Sequence, residues 1–297
     1  MSSRTAFQTM LLLAAWPSFA CGQGSLADVE VKATHVTGPI HVLRGAGGNL
    51  GASVGEDGIL LVDDQFAPLA DKIRAALAEL GEGKVAYVLN THYHGDHTGG
   101  NAEFGGEATI VAHTNVRWRL AEPVTTPGSE RVALPKTALP VITFDDSLSV
   151  HFNGEEIRAI HLPHGHTDGD LVVFFTRSRV VHLGDLFFNT SFPYVDLDGG
   201  GTVRGYIANV EYLLERLPED VKLICGHGPP VASRSDLMAY HEMLVETVGA
   251  VRRGMQAGKS LEQLQTERVL EPWQSWSGEF ISSDRWIATI HREPSGP

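Results

Sequence analysis

Cysteine is almost missing from this chain: two residues in 297, too few for a disulfide framework or a four-thiolate zinc site. Basic charge is scarce as well, with 23 lysines and arginines against 36 acidic residues and a formal net charge of −13. Such a balance lacks the electrostatic footprint of a protein whose main partner is a phosphate backbone, so no nucleic-acid partner is expected. Long apolar runs are lacking too. The run at residues 10–16 is too short to span a bilayer, and no later segment predicts a transmembrane helix. What is present is ordinary for a globular protein: 42% apolar and 20% charged residues, in a chain long enough to bury a sizeable core. The 14 histidines are the informative count.

At the N-terminus, Arg4 precedes the run at 10–16, and Ser18-Phe19-Ala20 places small residues where a signal peptidase reads. The pattern predicts a signal peptide over residues 1–20 and export, to the periplasm or outside the cell. A cut after Ala20 would leave Cys21 first, which raises lipid anchoring as the lesser alternative. Ser18 and Phe19 match the Leu-rich lipobox of bacterial lipoproteins poorly.

From residue 27 to 297 the chain reads as one domain, without repeat, low-complexity tract or clean linker. Short glycine-split strands are expected at 29–36, 40–44, 50–54 and 58–63, with a mobile turn or flap at 45–49. Leu69, Ile73, Leu77 and Leu80 predict an amphipathic helix ended by Gly81. Strands follow at 84–90 and 108–112, then a short helix at 115–121. Residues 122–140 carry four prolines and predict loop. Strands are expected again at 141–144, 148–152, 156–161, 171–176, 180–183 and 221–225. Helices are expected around 207–217, 233–253, 259–270 and 282–293. Strands then helix, roughly twice over, suits two sheets face to face with helices outside.

Thr91-His92-Tyr93-His94-Gly95-Asp96-His97 places four ligand-type side chains in six residues, after an apolar strand. His92 and His94, two apart in extended backbone, point the same way and can share one ion. Asp96 and His97 follow a glycine that lets the chain turn toward a second. Further along stand Gly165-His166-Thr167, Gly184-Asp185 and Gly226-His227-Gly228, each at a glycine, the last two directly after apolar strands.

This series resembles the metallo-β-lactamase superfamily, whose motifs it repeats in order over about residues 40–230. The resemblance implies an α/β fold, a four-layer αββα sandwich, with a hydrolase domain over 27–297. It implies one metal held by His92, His94 and His166, a second by Asp96, His97 and His227, and Asp185 between them. Asp63 stands where the family keeps a supporting Asp. Imidazole and carboxylate donors without thiolate suit two Zn²⁺ ions, with iron or manganese also tolerated. Two ions sharing a water would make hydroxide available near neutral pH, with Asp96 additionally orienting this nucleophile as a catalytic residue.

The implied activity is metal-dependent hydrolysis of a small-molecule ester, thioester, lactone or amide-type substrate. Asp185 favours this over a dedicated β-lactamase, since the resembled β-lactamases commonly carry Cys or Ser there. β-Lactam hydrolysis is the alternative within the class, and a di-iron redox or binding protein the alternative outside it. His164 is expected to take a supporting or solvent role, His113, His161 and His182 to make structural hydrogen bonds, and Cys225 to be a small buried hydrophobe. Phe66, Trp118 and Tyr194 line a pocket or the core, and residues 192–196 form a substrate-side loop. The sequence leaves the oligomeric state open.

Overall fold

The computed structural model describes residues 26–123 and 132–293. The signal-peptide reading at 1–20, Cys21 and part of the proline-rich loop lie outside the described residues. Within them, four strands follow one another as an antiparallel meander: β1 (Lys32–Thr37), β2 (Ile40–Arg44), β3 (Leu50–Gly55) and β4 (Gly58–Val62). The helix α1 (Ala70–Ala78) then crosses over, so β5 (Val85–Leu89), β6 (Thr109–His113) and β7 (Ile142–Phe144) add in parallel and complete a seven-stranded sheet.

Between these strands lie two single-turn helices, α2 (Gly95–Thr98) and α3 (Asn101–Phe104), and the longer α4 (Thr114–Ala121). The second sheet has six strands, β8 (Ser147–Phe152), β9 (Glu155–His161), β10 (Leu171–Phe175), β11 (Val180–His182), β12 (Lys222–Ile224) and β13 (Val231–Ser233). Helix α5 (Val203–Arg216) makes its one parallel crossover, from β11 to β12. The chain continues through α6 (Arg234–Gln256), α7 (Leu261–Thr266) and α8 (Ser283–Arg292).

The period of two in the strands sorts their side chains into layers. In β4, Leu60 and Val62 face the second sheet, meeting Ile157, Val173, Phe175 and Ile224 from its strands. Ile59 and Leu61 face the other way, onto Ile73 and Leu77 of α1. In the second sheet Val172, Val181 and Leu223 turn outward against α5, α6 and α8. Both sheets are therefore covered on both faces, which is the expected αββα sandwich.

Small departures from the sequence reading have local causes. β1 begins at Lys32, opposite Arg44, because β2 ends there and residues 29–31 have no strand to pair with. The helix expected over 259–270 stops at Thr266, since Arg268 takes a left-handed φ of 52° and turns the chain. Strand β13 was not expected at all; two prolines stand directly before it and hide its three residues.

The parallel pairs β4–β5 and β11–β12 end at the same edge of the sandwich, and chain segments leaving parallel strands at their carboxyl ends form a natural crevice. Asp63 follows β4 directly, His92 lies three residues beyond β5, Asp185 sits in a 3₁₀ turn after β11, and His227 follows β12.

Candidate metal centre

The structure brings all seven candidate ligands together in two adjoining sets. His92, His94, His166 and Asp185 form one, and Asp96, His97 and His227 the other, with the donor atoms of each set within 4.8 Å of one another. Asp96 and His97 reach it through the single turn of α2, capped by His94. The chain does turn at Gly95, as expected, and does so by helical coiling, with Gly95 at an ordinary φ.

Hydrogen bonds on the outer nitrogens fix which imidazole atoms face inward. His166 Nδ1–H donates to the Tyr194 carbonyl at 2.7 Å, leaving its Nε2 with a lone pair. His94 Nε2–H donates to Asp196 Oδ2 at 2.9 Å, so its Nδ1 carries the lone pair. Thr91 Oγ1 gives its only proton to Asp63 Oδ2 at 2.7 Å and hence accepts from His92 Nδ1–H at 3.1 Å. His92 Nε2 and His166 Nε2 then lie 3.1 and 2.8 Å from His94 Nδ1. Three lone pairs at this spacing repel unless a cation or a proton lies among them.

The second set follows the same logic. His97 Nδ1–H donates to Asp63 Oδ2 at 2.8 Å, directing Nε2 toward His227 Nε2 at 3.4 Å and Asp185 Oδ1 at 3.2 Å. Asp96 Oδ2 lies 3.2 Å from His227 Nε2. Asp185 reaches both sets: its Oδ2 is 3.4 Å from His166 Nε2 and 3.3 Å from His227 Nε2. Its Oδ1 is buried yet accepts no hydrogen bond. Converging lone pairs and an unsatisfied buried carboxylate oxygen fit two cations held by nitrogen and oxygen. Cys225 does not join them. Its thiol, pushed up to about 12 by burial, donates to the Pro229 carbonyl at 2.8 Å.

Without a cation, the two sets differ in proton affinity. Burial holds His166 down at about 4. Burial would lower His227 too, but the carboxylates of Asp185 and Asp96 overcome it and push this imidazole up to about 10. A cation entering the second set must therefore displace a proton near neutral pH. Second-site affinity is expected to rise between pH 6 and 9, about tenfold per unit for each proton displaced. First-set affinity gains no such slope from His166. Chelator-competed titrations across that range, with proton release followed in weak buffer, check the difference.

Several residues around the ligands escaped the sequence reading. Within the expected substrate-side loop, Asp196 has a supporting role the sequence did not show: its Oδ2 receives both His94 and the Tyr93 hydroxyl, and its Oδ1 receives Gly199 N–H at 2.8 Å. Burial alone would raise this carboxyl, but these donors, His94 foremost, hold it far below the usual range. The Tyr194 ring centroid lies 5.6 Å from those of both His94 and His166. Arg285 and Phe280 also pack against Tyr194. Phe66 packs at the helix layer of the first sheet, and Trp118 is exposed, in neither core nor site.

The expected flap at 45–49 is pinned. Gln65 Nε2–H donates to the Gly48 carbonyl at 2.6 Å, and Asn49 is buried among the site loops.

His113, His161 and His182 do make structural hydrogen bonds, to the carbonyls of Asp145, Asp170 and Asn49. His164 is exposed, its ring Nδ1 lies 3.1 Å from the Gly200 carbonyl, and its backbone takes a left-handed φ of 55°. Asparagine tolerates that backbone, so His164→Asn is expected to change hydrolytic kcat/KM less than about threefold. A loss matching that of His92→Ala would overturn the assignment around Gly165.

The sequence profile of the metallo-beta-lactamase superfamily matches residues 54–227, more than half of the chain. The chain belongs to the metallo-beta-lactamase superfamily. Among curated relatives of this superfamily member, hydroxyacylglutathione hydrolase of Rhodospirillum rubrum is 28% identical over 161 residues, covering 54% of this chain and 54% of that enzyme. The same enzyme of Rhodopseudomonas palustris strain BisA53 is 32% identical over 164 residues, covering 54% and 55%. The chain thus spans about half the length of these curated relatives. Among solved structures, a metallo-beta-lactamase from Pontibacter korlensis aligns with a TM-score of 0.60 at 16% identity, over 72% of this chain and 99% of that one. The sec-alkylsulfatase Pisa1 from Pseudomonas sp. aligns at 0.65 and 15%, over 88% and 50%. At such identities the likeness is one of fold.

Proposed function

We propose that this superfamily member is an exported di-zinc hydrolase of a small ester, thioester, lactone or amide-type substrate. The observation that supports it best is Asp185, one buried carboxylate within reach of both donor sets. Bound divalent cations would supply Lewis acidity, polarising a substrate carbonyl and acidifying water. The protein's own contribution is preorganisation. Asp63 locks Thr91 and His97, Asp196 locks His94, and the Tyr194 carbonyl locks His166. Burial would raise the carboxyl of Asp96, but His97 and His227 hold it down at about 2. It is therefore an ionised acceptor at neutral pH, able to orient an attacking water through its hydrogen. Tyr194, Phe280 and Phe188, stacked on His227 with centroids 5.0 Å apart, give the surroundings of the site an aromatic character suited to an uncharged acyl group.

The test is a substrate panel on metal-free protein reloaded with zinc. It includes hydroxyacylglutathione, on which the named relatives act, with a lactone, a phosphodiester and a chromogenic cephalosporin. Turnover of one class, lost on chelation, is the expected result. Full activity after chelation, in protein without stoichiometric metal, would overturn the proposal.

A further inference from the structure

We propose that Asn49 is the positioning residue that keeps the second donor set able to hold its cation, acting through the loop that carries His227. The inference rests on the reading that the seven residues hold two cations. Asn49 lies before the stretch that matches the superfamily profile, immediately before β3, and is only 3% exposed.

Its contacts bracket His227 on both sides. The side-chain amide donates to the Cys225 carbonyl at 2.9 Å and to the Gly228 carbonyl at 3.3 Å. Two carbonyl acceptors require the NH₂ group there, so the amide orientation is fixed. Between them, the backbone N–H of Asn49 donates to the Gly226 carbonyl at 2.7 Å. Cys225 and Gly226 are buried, and their carbonyls would otherwise be costly to leave unpaired. The carbonyl of Asn49 in turn accepts from His182 Nε2–H at 3.0 Å, while His182 Nδ1 accepts the Gly184 N–H beside Asp185.

One residue earlier, Gly48 N–H donates to the Asp96 carbonyl at 3.3 Å. The Gly48-Asn49 dipeptide therefore touches both segments of the second set, residues 96–97 and 225–228. The other edge of the His227 loop is held by Gly184, Phe187 and Asn189, so removing Asn49 loosens one side without dissolving the loop. The hydrogen bonds that aim His92, His94 and His166 run to Thr91, Asp196 and Tyr194. None of them passes through Asn49. Its loss should accordingly discriminate between the two cations, which a general loss of stability does not.

The experiment uses Asn49→Ala and the milder Asn49→Ser, whose hydroxyl can restore one donated bond. Metal-free full-length proteins are titrated with zinc, and with cobalt for its visible spectrum, against a competing chelator. Thermal midpoints of the metal-free proteins are recorded alongside. In Asn49→Ala the first equivalent should bind within about threefold of wild type and the second about 10- to 100-fold more weakly, the usual range for a residue supporting a ligand. Asn49→Ser should fall between, and it carries the test if the alanine variant does not fold. Equal weakening of both equivalents, or a lowered midpoint with the second equivalent unchanged, overturns the proposal. A wild-type protein that binds fewer than two equivalents overturns the two-cation reading, and this inference with it.

Discussion

Replacing Asp185 with asparagine is expected to lower kcat/KM for hydrolysis at least about a thousandfold, a barrier increase of about 4 kcal/mol. The substitution keeps shape and volume, so the fold should remain; Asp185 is 5% exposed in a tight 3₁₀ turn that asparagine fits. What changes is charge. In the cation-free protein burial works to raise this carboxyl, but His227, His97, His92 and His166 draw it well below the usual range. It is thus a full negative charge within 3.8 Å of all four imidazoles. At the proposed two-cation site an amide in its place would offer one neutral oxygen and would turn its N–H toward one of the donor sets. Elemental analysis should show fewer than two bound ions, and circular dichroism an unaltered fold. A variant that kept both ions and wild-type turnover would remove the bridging role assigned to this residue.

Gly48→Ala is expected to be nearly as damaging to the second set, for a steric reason. A Cβ at residue 48 would lie 2.6 Å from His97 Nε2 and 2.8 Å from its Nδ1, inside the van der Waals envelope of the ring. The φ of Gly48 is not left-handed, so the cost is contact rather than backbone strain. Neither partner can step aside. His97 is fully buried, anchored to Asp63 on its far nitrogen and packed on the His92 ring at 4.1 Å. The Gly48 backbone is held by Gln65 and Asp96. Overpacking of this kind costs about 1–3 kcal/mol of stability, and the displaced imidazole should weaken second-site metal binding by about 100-fold. Gly106→Ala, whose Cβ meets nothing within 4 Å, serves as the control and should be neutral. Melting curves and metal titrations of the pair decide the matter; equal behaviour would show that the turn yields.

The candidate ligands were legible because their information is local. His92, His94, Asp96 and His97 stand in six consecutive residues, and His166, Asp185 and His227 each sit at a glycine that marks a turn. The strands were legible as unbroken apolar runs, as in β4 and β10, or as alternation, as in β9. Helices α2 and α3 were not, because four residues carry too little of a 3.6-residue period to register. The residues that aim the ligands escaped for a different reason. Asn49 meets Cys225 across 176 positions and His94 meets Asp196 across 102, pairings set by sheet stacking that leave no trace in neighbouring sequence. The glycines at 45–49 suggested motion because glycine permits it; here they admit close approach of the His97 ring.

The Tyr194–Phe280–Arg285 stack joins the superfamily segment to a stretch of chain beyond it. Tyr194 lies within the superfamily segment, against His94 and His166, whereas Phe280 and Arg285 come from beyond its end at residue 227. The reactive centre and part of its surroundings are therefore encoded separately. Exchange of residues 280–285 would change the lining beside two imidazoles while leaving every ligand and every hydrogen bond that aims it in place. A name carried over from relatives that align with about half of this chain does not by itself say what that lining admits.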